Sequence, residues 1–351
     1  MTVPLVTVLI DTYNYGRFIE DAIESVLKQD FPLGQVEILV VDDGSTDDTA
    51  ERVKKYGSRI RYLYKRNGGQ ASAFNFGLAN AKGEIIALLD ADDYFLPGKL
   101  RRISEEFRAH PETGMVYHRL LNVETASGAM SEADFAAVSG YATDEERKLH
   151  KLLECQTSCL AFRRTLLEPV LPIPETIRLQ ADTYLVFLAA LSAPVLAVSE
   201  PLGVYRLHGG NLFYREVPDP RTQIRMRHLG MTIRIFKAVR SRMKDSRFRS
   251  GPVWTRSLLE RQILDLEKLR FTVEPPDRLR FFLFLLRESY VYRMQQTWRF
   301  TIYNYLTAFL ALFFGYKNGD WMYEWRRKNI GFMRSMLPRF LRRGDGDSHT
   351  I

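Results

Sequence analysis

Three apolar runs near the start of the chain each end in aspartate. VTVLI (6–10) runs into Asp11, VEILVV (36–41) into Asp42 and Asp43, and IIALL (85–89) into Asp90, Asp92 and Asp93. Runs rich in Val, Ile and Leu with polar stops read as strands buried on both faces. The segments between them have a different period. Residues 17–29 place Phe18, Ile19, Ala22, Ile23, Val26 and Leu27 at helical spacing, and residues 70–81 read as a second helix. Strand–helix–strand repetition calls for an α/β fold with a mostly parallel sheet flanked by helices. In such sheets ligands gather at the carboxyl ends of the strands. The three acidic groups are therefore expected along one edge of one sheet.

The pattern continues more loosely. IRYLY (60–64) predicts a short strand, 99–109 a helix and MVYHRLLNV (115–123) a strand. Residues 124–147 read as loop-rich, 148–193 as mixed, and 194–211 as strand, turn and strand ending at His208. Ser45 or Thr46 is expected to cap a helix beginning near Asp47. The chain has 351 residues, enough for roughly two domains. Its two cysteines, Cys155 and Cys159, are too few for a disulfide framework or a structural zinc site and read as core thiols. The N-terminus lacks the basic and long apolar regions of a signal peptide.

Charge divides the chain. Residues 216–351 hold 27 of the 50 basic and 13 of the 42 acidic residues, a net +14, which leaves −6 for residues 1–215. We therefore expect two regions, 1–215 built on the sheet and 216–351 mainly helical, basic and aromatic-rich.

The stretch LLDADDYFLPGKL (88–100) puts three carboxylates within four positions directly behind a core strand. Like charges at a desolvated edge repel. A divalent cation with oxygen ligands would relieve them and keep positions open for phosphate oxygens. An acidic turn before a helix is the plainer alternative. In VVDDGSTDDT one carboxylate can face a nucleobase N–H or a ribose hydroxyl, and an Asx turn with a helix cap is compatible with that use.

Four ordered segments, VTVLIDTYNYGRFIEDAIESVLKQD, VEILVVDDGSTDDT, KRNGGQASAFNFGLANAKGEIIALLDADD and VYRLHGGN, together resemble the family 2 glycosyltransferases with a GT-A (Rossmann-like) fold. The likeness covers residues 4–110 well and 150–211 loosely. It implies an inverting transferase that moves a sugar from a nucleotide diphosphate-sugar, a UDP-sugar first among donors, with Mn²⁺ or Mg²⁺. It implies that Asp43 contacts the base, and that Asp90 lies near the ribose. Asp92 holds the metal, with Asp93 as a possible sharer of that role. His208 reaches the metal or diphosphate. Tyr13 and Gly69 fall in donor-binding segments, and Arg206 faces a phosphate or a core carboxylate. Asp182, in LQADTYL, falls where the family keeps its general base. The family pair there is Glu-Asp, whereas this chain has Ala181-Asp182. Asp11 likewise stands where the family usually has proline, which places an extra carboxylate near the nucleotide.

Residues 301–316 are uncharged and flanked by Trp, Tyr and Arg. Sixteen residues fall short of the ~20 of a spanning helix. The composition suits a helix in the interface of an anionic membrane, on the cytoplasmic face. A re-entrant or transmembrane segment and a soluble helical domain are the alternatives. No groove-reading motif supports nucleic acid as a partner. The expected acceptor is a hydroxyl of a glycan or a polyprenyl-linked saccharide. Transfer to polyprenyl phosphate, or binding of a nucleotide sugar without turnover as a partner in a membrane assembly, are the other readings.

Overall fold

β1 (Val6–Thr12), β2 (Val36–Asp42) and β4 (Ile85–Asp90) are buried along nearly their whole length, as strands covered on both faces must be. They pair in parallel with β3 (Arg61–Tyr64) in the order β3-β2-β1-β4. A computed structural model of the chain describes residues 5–141, 155–211, 223–243 and 278–292, with a few positions between. Beyond β4 the sheet becomes mixed. β8 (Leu160–Arg163) joins β4 antiparallel, and β6 (Met115–Glu124) joins β8 antiparallel. β9 (Val195–Leu207) then runs parallel to β6, and β5 (Tyr94–Phe95) closes the order antiparallel to β9. β7 (Met130–Glu132) pairs with β6 off this path.

Helices cover the sheet as their periodicity predicts. α1 (Gly16–Leu27) buries Phe18, Ile19, Ala22, Ile23 and Val26. α3 (Gln70–Asn80) lies so close to the sheet that a Cβ at Gly77 would sit 2.4 Å from Leu9 Cδ1, so this helix position has room only for glycine. α2 (Thr49–Lys54) has Asp48 at its N-cap without a side-chain cap bond, and Asp47, one residue earlier, accepts at Oδ1 from the Thr49 N–H at 3.1 Å and from its hydroxyl. The expected cap from Ser45 or Thr46 is not formed. Ser45 Oγ instead accepts from the Asn14 N–H, because Asn14 turns back at φ 58° to meet it.

α4 (Lys99–Ala109), the short α5 (Arg164–Leu167) and α6 (Ala181–Ser192) complete the covering. Residues 194–211 were expected as strand, turn and strand. β9 is instead one strand, with an irregularity where Arg119 pairs with Pro201 after His118 pairs with Val198. Ser199 and Glu200 are left out of the pairing before Pro201, and Leu202 after it, and Pro201, which has no N–H to give a ladder, sits in that break.

The described residues fall into two compact units. The first contains the sheet and the stretch from Arg234 of α7 (Gln223–Arg242). There Phe236 packs on Phe187 with ring centroids 4.9 Å apart. The second contains the start of α7 and α8 (Arg278–Tyr292). In it Arg287 pairs with Glu260 and Glu267 at 2.6 and 3.2 Å. The expected boundary at 215/216 and the apolar segment 301–316 lie outside the described residues. No helix among the described residues is long and apolar enough to cross a membrane.

Candidate active site

The parallel register sets Asp11 beside Asp90 and Thr12 beside Asp42. The strand ends therefore do converge on one sheet edge. Crowding at that edge shows in the acidities. Burial lifts the Asp11 carboxyl to about 7, with Asp92 and Asp182 adding repulsion and a hydrogen bond with Asp90 acting the other way. Asp90 is held well above the usual carboxylate range by burial and by Asp11, Asp92 and Asp93. Asp11 Oδ1 is buried with no hydrogen-bond partner.

Oxygens of Asp90, Asp92 and Asp93 lie within 4.8 Å of one another. Sequence alone left Asp92 and Asp93 indistinguishable, and their contacts separate them. Asp93 is fully buried. Its Oδ2 accepts from the Ser158 hydroxyl at 2.5 Å and its Oδ1 from the Arg206 N–H at 3.0 Å. Asp92 meets His208 Nε2 at 3.0 Å through Oδ2. The Gly210 N–H points at His208 Nδ1 from 3.1 Å, and Arg17 Nη2 lies 3.3 Å from the same nitrogen. Two donors on Nδ1 put the ring proton on Nε2, so His208 donates to Asp92 in this geometry. Binding a metal through Nε2 requires the proton to leave that nitrogen.

Asp182 lies in the first turn of α6. Its Oδ1 accepts from the Thr183 N–H at 2.8 Å and its Oδ2 from the Thr157 hydroxyl at 3.0 Å. Burial raises its pKa despite these bonds, which makes it a stronger base than a solvated aspartate.

Asp43 is buried and already engaged. Lys65 Nζ and the Gly68 N–H reach Oδ1 at 2.8 and 2.9 Å, and the Gly69 N–H reaches Oδ2 at 2.7 Å. The carboxylate thus organises the loop after β3, with little acceptor capacity left for a base. Gly69 turns at φ +88°, and a Cβ there would sit 2.8 Å from the Arg178 carbonyl oxygen. That carbonyl accepts from the Gln70 N–H at 2.9 Å, and Gln70 Oε1 accepts from the Ala181 N–H at 3.0 Å. The glycine loop and the helix bearing Asp182 are therefore stitched together. Tyr13 stands 47% exposed, an open aromatic face just past the end of β1.

Arg206 answers the choice left open in the sequence. Its guanidinium pairs with Asp21 at 2.8 Å and lies over the rings of Phe18 and Tyr94. Its backbone N–H bonds Asp93, and its positive charge also counters the raised acidity of that carboxyl. A cavity of about 570 Å³ opens on that side of α1, lined by Asp21, Glu24, Lys28, Tyr94, Glu124 and Arg206. Neither Asp92 nor Asp182 is among its lining residues.

Sequence reasoning missed Arg17, a cation beside His208, and the turn Thr157–Cys159 that holds Asp93 and Asp182. Arg17 sits in a helix-forming stretch, and nothing local marks it. Thr157 and Ser158 are ordinary residues until the fold brings them under the acids.

The donor set suits a hard divalent ion. Three clustered carboxylates, one unpartnered buried carboxylate oxygen and an adjacent imidazole match Mn²⁺ or Mg²⁺ better than a thiolate-seeking metal. Asp92, with Asp90 or Asp93, would hold it.

Residues 7–171 match the family described as glycosyl transferase family 2. An uncharacterized glycosyltransferase of Nostoc sp. is 35% identical over 217 residues, 59% of this chain and 66% of that protein. The uncharacterized glycosyltransferase EpsJ of Bacillus subtilis is 38% identical over 107 residues, 30% of each. The chain thus spans about two thirds of the first relative's length and about a third of the second's. Among solved structures, S. aureus TarS 1-349 in complex with UDP superposes with a TM-score of 0.59 at 16% identity, covering 88% of this chain and 89% of that one. The mannosyltransferase PcManGT from Pyrobaculum calidifontis, in complex with GDP-Man and Mn²⁺, gives 0.51 at 17%, covering 98% and 89%. With matching motifs, a shared fold and an acidic sheet edge in agreement, the chain belongs to the family 2 glycosyltransferases.

Proposed function

We propose that this protein transfers a sugar from a nucleotide diphosphate-sugar, a UDP-sugar first among donors, to a hydroxyl of a glycan or polyprenyl-linked saccharide, inverting the anomeric configuration. The observation that carries the reading is the gathering of Asp90, Asp92 and Asp93 within 4.8 Å on the sheet edge that Asp182 also faces. Tyr13 offers its face to the nucleobase. Arg17 supplies positive charge near the diphosphate. Asp182 takes the proton of the acceptor hydroxyl as that oxygen bonds the anomeric carbon and the bond to the diphosphate breaks. Bound Mn²⁺ or Mg²⁺ supplies charge neutralisation for the leaving diphosphate. The structures bearing UDP and GDP-Man support a nucleotide-sugar donor. The basic, aromatic composition of residues 216–351 supports docking on an anionic membrane from the cytoplasmic side.

Calorimetric titration of UDP, GDP and dTDP, with Mn²⁺ and then with EDTA, tests the donor site. Binding of one nucleotide that EDTA abolishes is expected. A folded protein that binds none of them in Mn²⁺ overturns the reading. In parallel, salt-sensitive sedimentation with phosphatidylglycerol vesicles checks the membrane part, and its absence removes that part alone.

A further inference from the structure

The 3-10 turn Thr157–Cys159 is buried just ahead of β8, and the transfer chemistry assigns it no role. Its contacts nevertheless reach both sides of the site. Thr157 Oγ1 donates to Asp182 Oδ2 at 3.0 Å. The next residue, Ser158, donates to Asp93 Oδ2 and accepts from the Asp90 N–H at 3.1 Å. The Ser158 carbonyl is held in turn by Lys99 Nζ at 2.7 Å. Lys99 is itself fully buried, with its Nζ 3.4 Å from the Phe95 ring centroid. Adjacent residues of one buried turn therefore hold Asp182 on one side and Asp90 and Asp93 on the other.

We propose that Thr157 is a positioning residue for the transfer, its hydroxyl fixing the plane of the Asp182 carboxylate relative to the carboxylates that Ser158 holds. The inference rests on the reading of Asp182 as the base. A carboxylate held only through Oδ1 by the Thr183 N–H can swing about that contact. A second bond at Oδ2 fixes its plane and leaves a lone pair on each oxygen for the substrate. Displacement of a reacting group by about 1 Å costs on the order of a hundredfold in rate. The groups facing Asp182 electrostatically are Asp11 of β1 and Asp90 of β4.

The test compares Thr157→Val, nearly isosteric, with Thr157→Ser, which keeps the hydroxyl. The rate assay is Mn²⁺-dependent hydrolysis of UDP-GlcNAc, UDP-glucose or GDP-mannose, with water as acceptor. Thr157→Val is expected to lower kcat about 10- to 100-fold, with donor KM and nucleotide affinity within about twofold. Thr157→Ser is expected to restore kcat. Loss of kcat together with nucleotide affinity and melting temperature would indicate a merely structural residue and overturn the proposal. So would wild-type kcat in the valine variant. An NMR titration of the Asp182 carboxyl, identified by its disappearance in Asp182→Asn, gives a readout that needs no turnover. It should move upward in the valine variant and return in the serine variant, and an unchanged titration overturns the proposal. Turnover that survives in Asp182→Asn refutes the base assignment instead, which keeps the two failures apart.

Discussion

Asp43→Asn separates two jobs that one carboxylate could do. The native group accepts three hydrogen bonds, two at Oδ1 and one at Oδ2, while its side chain is only 6% exposed. An asparagine keeps most by placing its oxygen at Oδ1, toward Lys65 and Gly68. Its NH₂ then faces the Gly69 N–H, donor against donor. One charge-assisted bond is lost and one N–H is left unpaired, about 3 kcal/mol together. The Lys65 ammonium, whose side chain is 18% exposed, also exchanges a charged partner for a neutral one, about 1 kcal/mol more. The expected destabilisation is about 4 kcal/mol, a large share of a typical 5–15 kcal/mol. Urea unfolding in EDTA measures it without ligand. Because Gly69 anchors the loop to Arg178 and so to α6, nucleotide affinity should fall with stability. A loss under about 1 kcal/mol would refute the claim that these bonds organise the loop. Wild-type stability with lost affinity would assign Asp43 to the base instead.

Asp11→Asn tests the crowded edge through pH. Burial lifts the folded carboxyl to about 7, above its ordinary value of 3.8. Its native state therefore favours the proton, and its contribution to stability is full below about pH 4 and is lost as pH rises through 7. In metal-free protein the asparagine variant should gain stability over wild type at pH 8 and show little gain at pH 4, as chemical denaturation at the two pH values would show. An equal effect at both would remove the electrostatic account. His208→Ala leaves Asp92 without its orienting donor and should weaken Mn²⁺-dependent nucleotide binding about tenfold. Calorimetry giving wild-type affinity would leave His208 a packing residue between Tyr15 and Phe18, whose rings lie 5.9 and 4.8 Å away.

Much of the site's scaffold was legible in one dimension. Burial on both faces gives the strands near-continuous apolar runs, and parallel order places their ends together. VTVLI, VEILVV and IIALL therefore announced both the sheet and its acidic edge. The family likeness located Asp182 and His208 from their surrounding motifs, and the structure brings both to that edge. What stayed hidden depends on contacts between residues far apart in the chain. Arg206 reads equally as a partner for a phosphate or for a core carboxylate until Asp21, on another element, takes its guanidinium. Asp93 reads as a twin of Asp92 until Ser158, 65 positions away, claims it. Strand periodicity and turn chemistry are local, so the sequence determined where the carboxylates end up. Which of them remain free for a ligand depends on which distant hydroxyl, amide or cation reaches each first, and only the tertiary packing decides that.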